Sequence, residues 1–147
     1  MKRSTNNEGK QRRRAVVYLR ARGETPEETK ELINDQRLAC RTMARMIGAD
    51  VVAEFNDERL SAIDPQRPGL IALLRRIEDD PTIDVLIVIH EDRLARDAGL
   101  VGYIIHELTV ANVKLYSRRR VLDEFEAPRS MRSLDSGDDS TSRSKAA

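Results

Sequence analysis

The sequence predicts a single α/β domain of three layers, a central, mostly parallel sheet with helices on both faces. Three observations lead there. Residues 85–89 are an unbroken apolar run, the pattern of a strand buried on both sides in a parallel sheet. Strand-like runs alternate with helical periods in the order β-α-β-α-β-α-β, joined by short connections, which calls for right-handed crossovers. The central run then ends abruptly in His90, Glu91, Asp92, Arg93 and Arg96. Charge at the C-terminal end of a central strand marks where an open α/β sheet places its ligand site.

Each element has its own signal. Residues 15–19 form the first strand, followed by Arg20-Ala21-Arg22-Gly23. Thr25-Pro26-Glu27-Glu28 starts a helix, with Thr25 as N-cap, Pro26 at the first helical position and Glu28 completing a capping box. The predicted inward stripe is Leu32, Gln36, Ala39, Cys40, Met43 and Ile47, and Gly48 ends the helix. Residues 51–55 form the second strand, with Asn56 and Asp57 at its end. A polar loop, 57–66, leads to a second helix at Arg67-Pro68-Gly69-Leu70. It buries Leu70, Leu73, Leu74 and Ile77 and stops at Asp79-Asp80-Pro81.

After the central strand, a third helix runs from about Asp97, its N-cap, to Ala111, turning Leu100, Val101, Ile104, Ile105 and Leu108 inward. A turn at Asn112 precedes a fourth strand at 113–116. Beyond Tyr116 the pattern stops. Residues 118–130 are charged, with Val121, Leu122 and Phe125 enough for one short apolar turn, and 131–147 are rich in Ser and Asp. The expected division is a disordered basic arm at 1–13, a domain at 14–117 and a charged, largely disordered tail at 118–147.

Composition narrows the function. The chain has 147 residues and is 39% hydrophobic. No apolar run approaches the ~20 residues that span a bilayer, and no signal-peptide core opens the chain, so a cytoplasmic protein without a membrane is expected. A single cysteine, Cys40, excludes an internal disulfide framework. With two histidines far from any ligand spacing, neither a metal nor another cofactor is expected. The net charge of +1 hides an asymmetry: residues 1–14 carry six Lys/Arg against one Glu, and residues 15–117 carry thirteen against eighteen Asp/Glu. Such an arm suits contact with a polyanion, and a solvated leader has the same composition.

The predicted strand ends bring Arg20 and Arg22, Asn56 and Asp57, Asp92, Arg93 and Arg96, and Ser117 with Arg118 into one crevice. Guanidinium forks match the oxygens of a phosphate and never lose their charge. The plainer alternative pairs these arginines with Asp57, Asp92 and Glu91 at the rim of a stable sheet. No Gly-rich loop follows any strand, which excludes a P-loop or a dinucleotide fold. His90 sits beside the crevice with no nucleophile to serve, and His106 falls on the third helix as a surface residue. Cys40 reads as a small core residue. Arg75-Arg76 and Arg118-Arg119-Arg120 read as solvated faces or phosphate contacts of no sequence specificity.

Tyr18-Leu19-Arg20, Gln36-Arg37, Asp57 with Ser61, Arg67-Pro68-Gly69-Leu70 and Asp92-Arg93-Leu94-Ala95-Arg96 together resemble the catalytic domain of serine recombinases, the resolvases and invertases. The resemblance covers residues 14–117 in order and with fitting spacings. It implies a mostly parallel sheet with flanking helices, and metal-free breakage and rejoining of DNA. In that family a serine just after the first strand attacks the phosphodiester, while arginines stabilise the charge on the phosphorus oxygens. By position, Arg20, Arg67, Arg93 and Arg96 take that role. Asp92 orients an arginine or manages the leaving group's proton, and Gln36 supports the site from the first helix.

One departure matters most. The family pattern is Tyr-x-Arg-x-Ser, and this chain places Arg22 at the serine position. A guanidinium, with a pKa above about 12, is no nucleophile. It can still bind a phosphate, so Arg22 and Arg118 join Arg20, Arg93 and Arg96 as expected DNA contacts. Thr25 is committed as an N-cap, and Ser61 is a supporting residue in the resemblance. Ser61-Ala62 also departs from the family's Ser-Gly, and Ala95 stands where a serine is common. After Tyr116 the apolar residues are too few for the family's long dimer helix, and its separate DNA-binding domain is not expected. Three readings follow: a domain from a mobile element or phage that binds DNA weakly without cutting it, an active recombinase using another hydroxyl, and a non-enzymatic module. The module would dock on a full-length recombinase or a second copy through its sheet edge or third helix.

Overall fold

In a computed structural model that describes residues 12–58, 67–94 and 98–126, four strands lie side by side and parallel. They are β1 (Arg13–Ala21), β2 (Ala49–Glu58), β3 (Val85–Ile87) and β4 (Lys114–Tyr116), in the order β2-β1-β3-β4. The apolar alternation of β1 divides the core in two. Ala15, Val17, Leu19 and Ala21 face α1 (Pro26–Met46), where they meet Ile33, Cys40 and Met43. Val16 and Tyr18 face the other way, towards α2 (Pro68–Asp79) and α3 (Ala98–Val110), and pack with Leu70, Leu73, Ile77, Ile104 and Leu108. This is the three-layer α/β arrangement that the alternation of elements predicts.

The chain leaves β1 in one direction along the sheet for β2 and returns across it for β3. The C-terminal ends of β1 and β3 therefore flank the point where the strand order reverses, which is where such sheets leave a crevice. Local chemistry fixes the turns. Thr25 Oγ1 accepts from Glu28 N at 3.0 Å, while the Glu28 carboxylate reaches back to Glu24 N at 2.7 Å, a capping box displaced by one residue. Gly48, with φ +69°, closes α1, and Asn112, with φ 62°, turns the chain into β4.

Several expectations need correction. The inward stripe of α1 keeps Gln36, Cys40, Met43 and Ile47 as predicted, but at its start Ile33 is buried in place of Leu32, which is 39% exposed, and Ala39 is half-buried. Thr29 and Gln36 also point inward, so the helix turns two polar groups towards the ends of β1 and α1's own first turn. On α3, Ile104 and Leu108 are buried, but Ile105 is exposed. Asp97, the expected N-cap, lies outside the described residues. β2 is longer than predicted and takes in Asn56 and Asp57, whereas β3 keeps ladder pairing over three residues, with Val88 and Ile89 buried beyond it.

The two flanks also differ from expectation. Residues 118–126 form a helix, α4 (Arg118–Glu126), whose Val121 is fully buried against the α1 side of the core. The one short apolar turn read at Val121, Leu122 and Phe125 falls within this helix, which is longer than that turn because charged residues fill the rest of it. At the other flank, β1 begins at Arg13, so the end of the predicted basic arm is part of the sheet. Arg12 pairs with Asp50 at 2.7 Å, and Arg14 donates through Nε to Thr82 and through its backbone to Asp84.

Candidate phosphate-binding site

Two neighbouring structures occupy the C-terminal edge of the sheet. One is a closed network. Asp57, 4% exposed at the end of β2, accepts from the Tyr18 hydroxyl at 2.6 Å, from Gly69 N at 2.7 Å and from Leu70 N at 3.0 Å. Its carboxylate thus caps α2 from a distance, because Arg67 at the N-cap position makes no side-chain cap bond of its own. A Cβ on Gly69 would lie 2.2 Å from the Asn56 carbonyl oxygen, so only glycine permits this approach. Burial, reinforced by the bond to Asp57, raises the Tyr18 phenol well above its ordinary value. Arg67 lies over the Tyr18 ring at 5.6 Å, and its Nη2 donates to the Tyr18 hydroxyl at 2.9 Å and to the Arg93 carbonyl at 2.8 Å.

The other structure is open. A hollow of about 150 Å³ is lined by Arg20, Ala21 and Arg22 from β1 and the residues after it, by Leu32 and Gln36 from α1, and by Arg93. Arg93 ends the short 3-10 turn Glu91–Arg93 that follows the central strand. The Gln36 side-chain amide holds the wall in place: Oε1 accepts from Arg20 N at 3.2 Å, and Nε2 donates to Arg20 O at 2.8 Å. Both peptide groups of Arg20 that would otherwise face the crevice are satisfied, and β1 is pinned to α1 at the site. Arg93 Nε is buried without a hydrogen-bond partner among the described residues. A buried donor left unpaired costs about 1–3 kcal/mol, and an anion in the hollow would satisfy it.

These observations place the sequence-predicted residues. Arg20, Arg22, Gln36 and Arg93 come together. Arg67 is beside them but outside the hollow's wall, holding the Arg93 backbone. Asp92 is exposed on the turn, and Arg118 is exposed at the start of α4; neither lines the hollow. Asp57, expected to face the crevice, is turned into the fold instead. Arg96 and Ser61 lie outside the described residues. Ser117 is buried to 1%, its Oγ without a hydrogen-bond partner among the described residues. Thr25 is the predicted N-cap. Burial pushes the Cys40 thiol up to about 12, despite the opposing charge of Arg118, so it is an unreactive core group.

Sequence reasoning missed the Tyr18 hub and the Leu32 wall. Tyr18 carried a signal, since it is the one polar-tipped residue in an otherwise aliphatic strand, and a buried phenol needs partners. Among the described residues, no helix is long and apolar enough to cross a membrane, and no group of three His, Cys, Asp or Glu is placed to hold a metal.

Residues 15–134 match the family model of the resolvase N-terminal domain. The chain belongs to the resolvase family. Solved structures agree with that assignment. The catalytic domain of the TnpA protein of ISC1926, an IS607-like serine recombinase, is 27% identical, with a TM-score of 0.60 over 84% of this chain and 76% of that one. A resolvase-family site-specific recombinase from Streptococcus pneumoniae shares the fold at 20% identity, with a TM-score of 0.63 and coverage of 84% and 83%. So does the N-terminal catalytic domain of TP901-1 integrase, at 22% identity, TM-score 0.61 and coverage of 74% and 79%. No curated protein sequence matches the chain. The domain is thus of the serine-recombinase type, a type associated with DNA recombination.

Proposed function

We propose that this resolvase-type domain holds the DNA backbone in the arginine hollow and does not cut it. One observation carries the reading: the described wall presents three guanidiniums and no hydroxyl. Arg22 stands where the family resemblance expects the attacking serine, and an arginine can bind the phosphate but not displace its leaving group. The other described hydroxyls near the sheet edge are engaged or buried: Thr25 caps α1, Tyr18 donates to Asp57, and Ser117 is enclosed. Phosphate oxygens would be met by Arg20, Arg22 and Arg93, with Gln36 and Arg67 positioning two of them through their backbones.

The test is titration of a labelled duplex across a series of salt concentrations. Phosphate-driven binding weakens steeply with salt, and removing one contact lowers the slope of log K against log salt by roughly 0.9. Arg93→Ala is expected to do so without changing the fold. Salt-independent binding, or none at low salt, contradicts the proposal.

A second reading is favoured by one feature of the opposite layer. α2 and α3 enclose a groove of about 380 Å³, lined by Ile71, Leu74, Leu100 and Tyr103 with Arg75, Glu78 and Glu107 on its rim. Ile71 is 50% exposed and Tyr103 54%. A full-length family member docking there makes the chain an interaction module. Co-purification that survives high salt and is lost in Tyr103→Glu supports this reading, and a chain that stays unpartnered beside such a homologue removes it.

A further inference from the structure

Outside the hollow, positive charge gathers at the start of α4. Arg118, Arg119 and Arg120 form the first turn of that helix, and all three are exposed, as is Lys114 at the start of β4. Alternation along β4 puts Lys114 on the same face as Tyr116, whose ring carries the Arg120 guanidinium at 4.7 Å. Elsewhere the fold matches arginines with acids: Arg12 with Asp50, Arg37 with Glu54 and Arg76 with Asp80. Arg118, Arg119 and Lys114 make no ion pair among the described residues. Arg120 turns to neutral groups, donating to the Leu115 carbonyl at 3.0 Å and lying over Tyr116.

This arrangement runs against the helix's own electrostatics. The first amides of a helix are unbonded and carry partial positive charge, which favours anions there and disfavours cations. α4 reverses that order, with three arginines in its first turn and Asp123, Glu124 and Glu126 in its second half. Ser117, in the capping position, gives no relief: its buried Oγ has no hydrogen-bond partner among the described residues, so it caps none of these amides. Val121, buried in the core on the α1 side, holds the turn in place despite this. Exposed guanidiniums beside uncapped amides are donors of the kind that phosphate oxygens accept.

We propose that the first turn of α4, with Lys114, is a second contact for the DNA backbone, separate from the hollow. DNA is the polyanion that a domain of this family meets, and guanidinium forks fit its phosphates. Contacts of this kind fix orientation without reading sequence. The proposal shares its ligand with the proposed reading of the hollow and none of its residues. Arg118 N donates to the Ile89 carbonyl at 3.3 Å, just past β3, so this turn sits at the same sheet edge as the Glu91–Arg93 turn. A duplex laid along that edge meets both.

The test is a salt titration of a short labelled duplex with the intact protein, repeated on Arg118→Gln/Arg119→Gln. Losing two backbone contacts should lower the slope of log K against log salt by roughly 1.8, at about 0.9 for each. The urea midpoint should hold or rise, because the substitutions take cations away from the positive end of a helix. Lys114→Gln, outside the helix, should lower the slope by about 0.9 on its own. Arg45→Gln, which removes one exposed charge from the last turn of α1, is expected to leave the slope as it was. A slope unchanged in both the double variant and Lys114→Gln overturns the inference. So does an equal loss per charge in Arg45→Gln, since net charge alone would then set the affinity. If Arg93→Ala binds as the unmodified protein does while the double variant weakens, the α4 contact stands and the hollow reading falls. No binding of duplex at low salt removes both.

Discussion

The two ends of the parallel sheet use arginine in opposite ways. At the N-terminal end, each arginine meets an acidic or hydroxyl partner: Arg12 pairs with Asp50, and Arg14 reaches Thr82, lies near Asp80 and donates its backbone to Asp84. At the C-terminal end, the buried carboxylate Asp57 serves Tyr18 and the start of α2, and the guanidinium of Arg67 goes to neutral acceptors, a phenol and a carbonyl. The first arrangement closes a fold. The second leaves the buried Nε of Arg93 without a partner among the described residues, at the wall of the hollow. The same residue type is structural or receptive according to where the carboxylates are directed.

Substitutions at Asp57 should show the largest effect. Asp57→Ala strips the acceptor from the Tyr18 hydroxyl and from two α2 amides, all buried or partly so. The expected loss is about 3 kcal/mol or more, read as a lower urea midpoint. Gly69→Ala attacks the same contact sterically, through the clash with the Asn56 carbonyl, and should fall in the same range. If either proves neutral, the closed network is not what holds this end together.

Arg93→Ala sharpens the contrast from the other side. Its guanidinium is expected to matter for ligand and little for folding. DNA affinity should fall roughly tenfold while the urea midpoint stays put or rises, because a buried unpaired donor has been removed. A variant that loses stability in place of affinity would make this end structural, like the other.

At the N-terminal end the effects are smaller and titrate. Hydrogen bonds from the Thr82 hydroxyl and backbone hold the Asp80 carboxyl down at about 2, below its ordinary 3.8, with Arg76 assisting. Away from that end, midway along β2, Glu54 is lowered chiefly by its bonds from Arg37. A carboxyl with a depressed folded value stabilises the fold above the unfolded value and loses that contribution as pH falls through the folded one. Stability should therefore hold above about pH 4 and decline towards about pH 2, and Asp80→Asn should flatten part of that decline. The smallest change is expected for Arg12→Ala: both partners are more than half exposed, so the shift should stay within about 0.5 kcal/mol.

The contrast also explains what the sequence made legible. Strands and helix starts were readable because local chemistry decides them: the aliphatic run at 85–89, Thr25-Pro26 with Glu28, Gly48 with its positive φ. The convergence of Arg20, Arg22 and Arg93 followed from parallel strands, which deliver their C-terminal ends to one edge. What stayed hidden depended on distant partners. Asp57 looked like a crevice residue because nothing local shows that Gly69 and Leu70, a dozen residues on, present amides to it. Leu32 and Ile33 are adjacent and both apolar, so which of the two turns inward on α1 was settled by packing against β1. α4 was legible only as one short apolar turn at Val121, Leu122 and Phe125, because charge dominates the residues around it.

The most direct test of the central claim is a search for a covalent link. Labelled duplex is incubated with the protein, denatured in detergent and resolved by size. A hollow that binds phosphate but holds no nucleophile predicts a complex that forms at low salt and dissociates completely under denaturant. A labelled band that survives denaturation would show that some hydroxyl of this chain does attack the backbone.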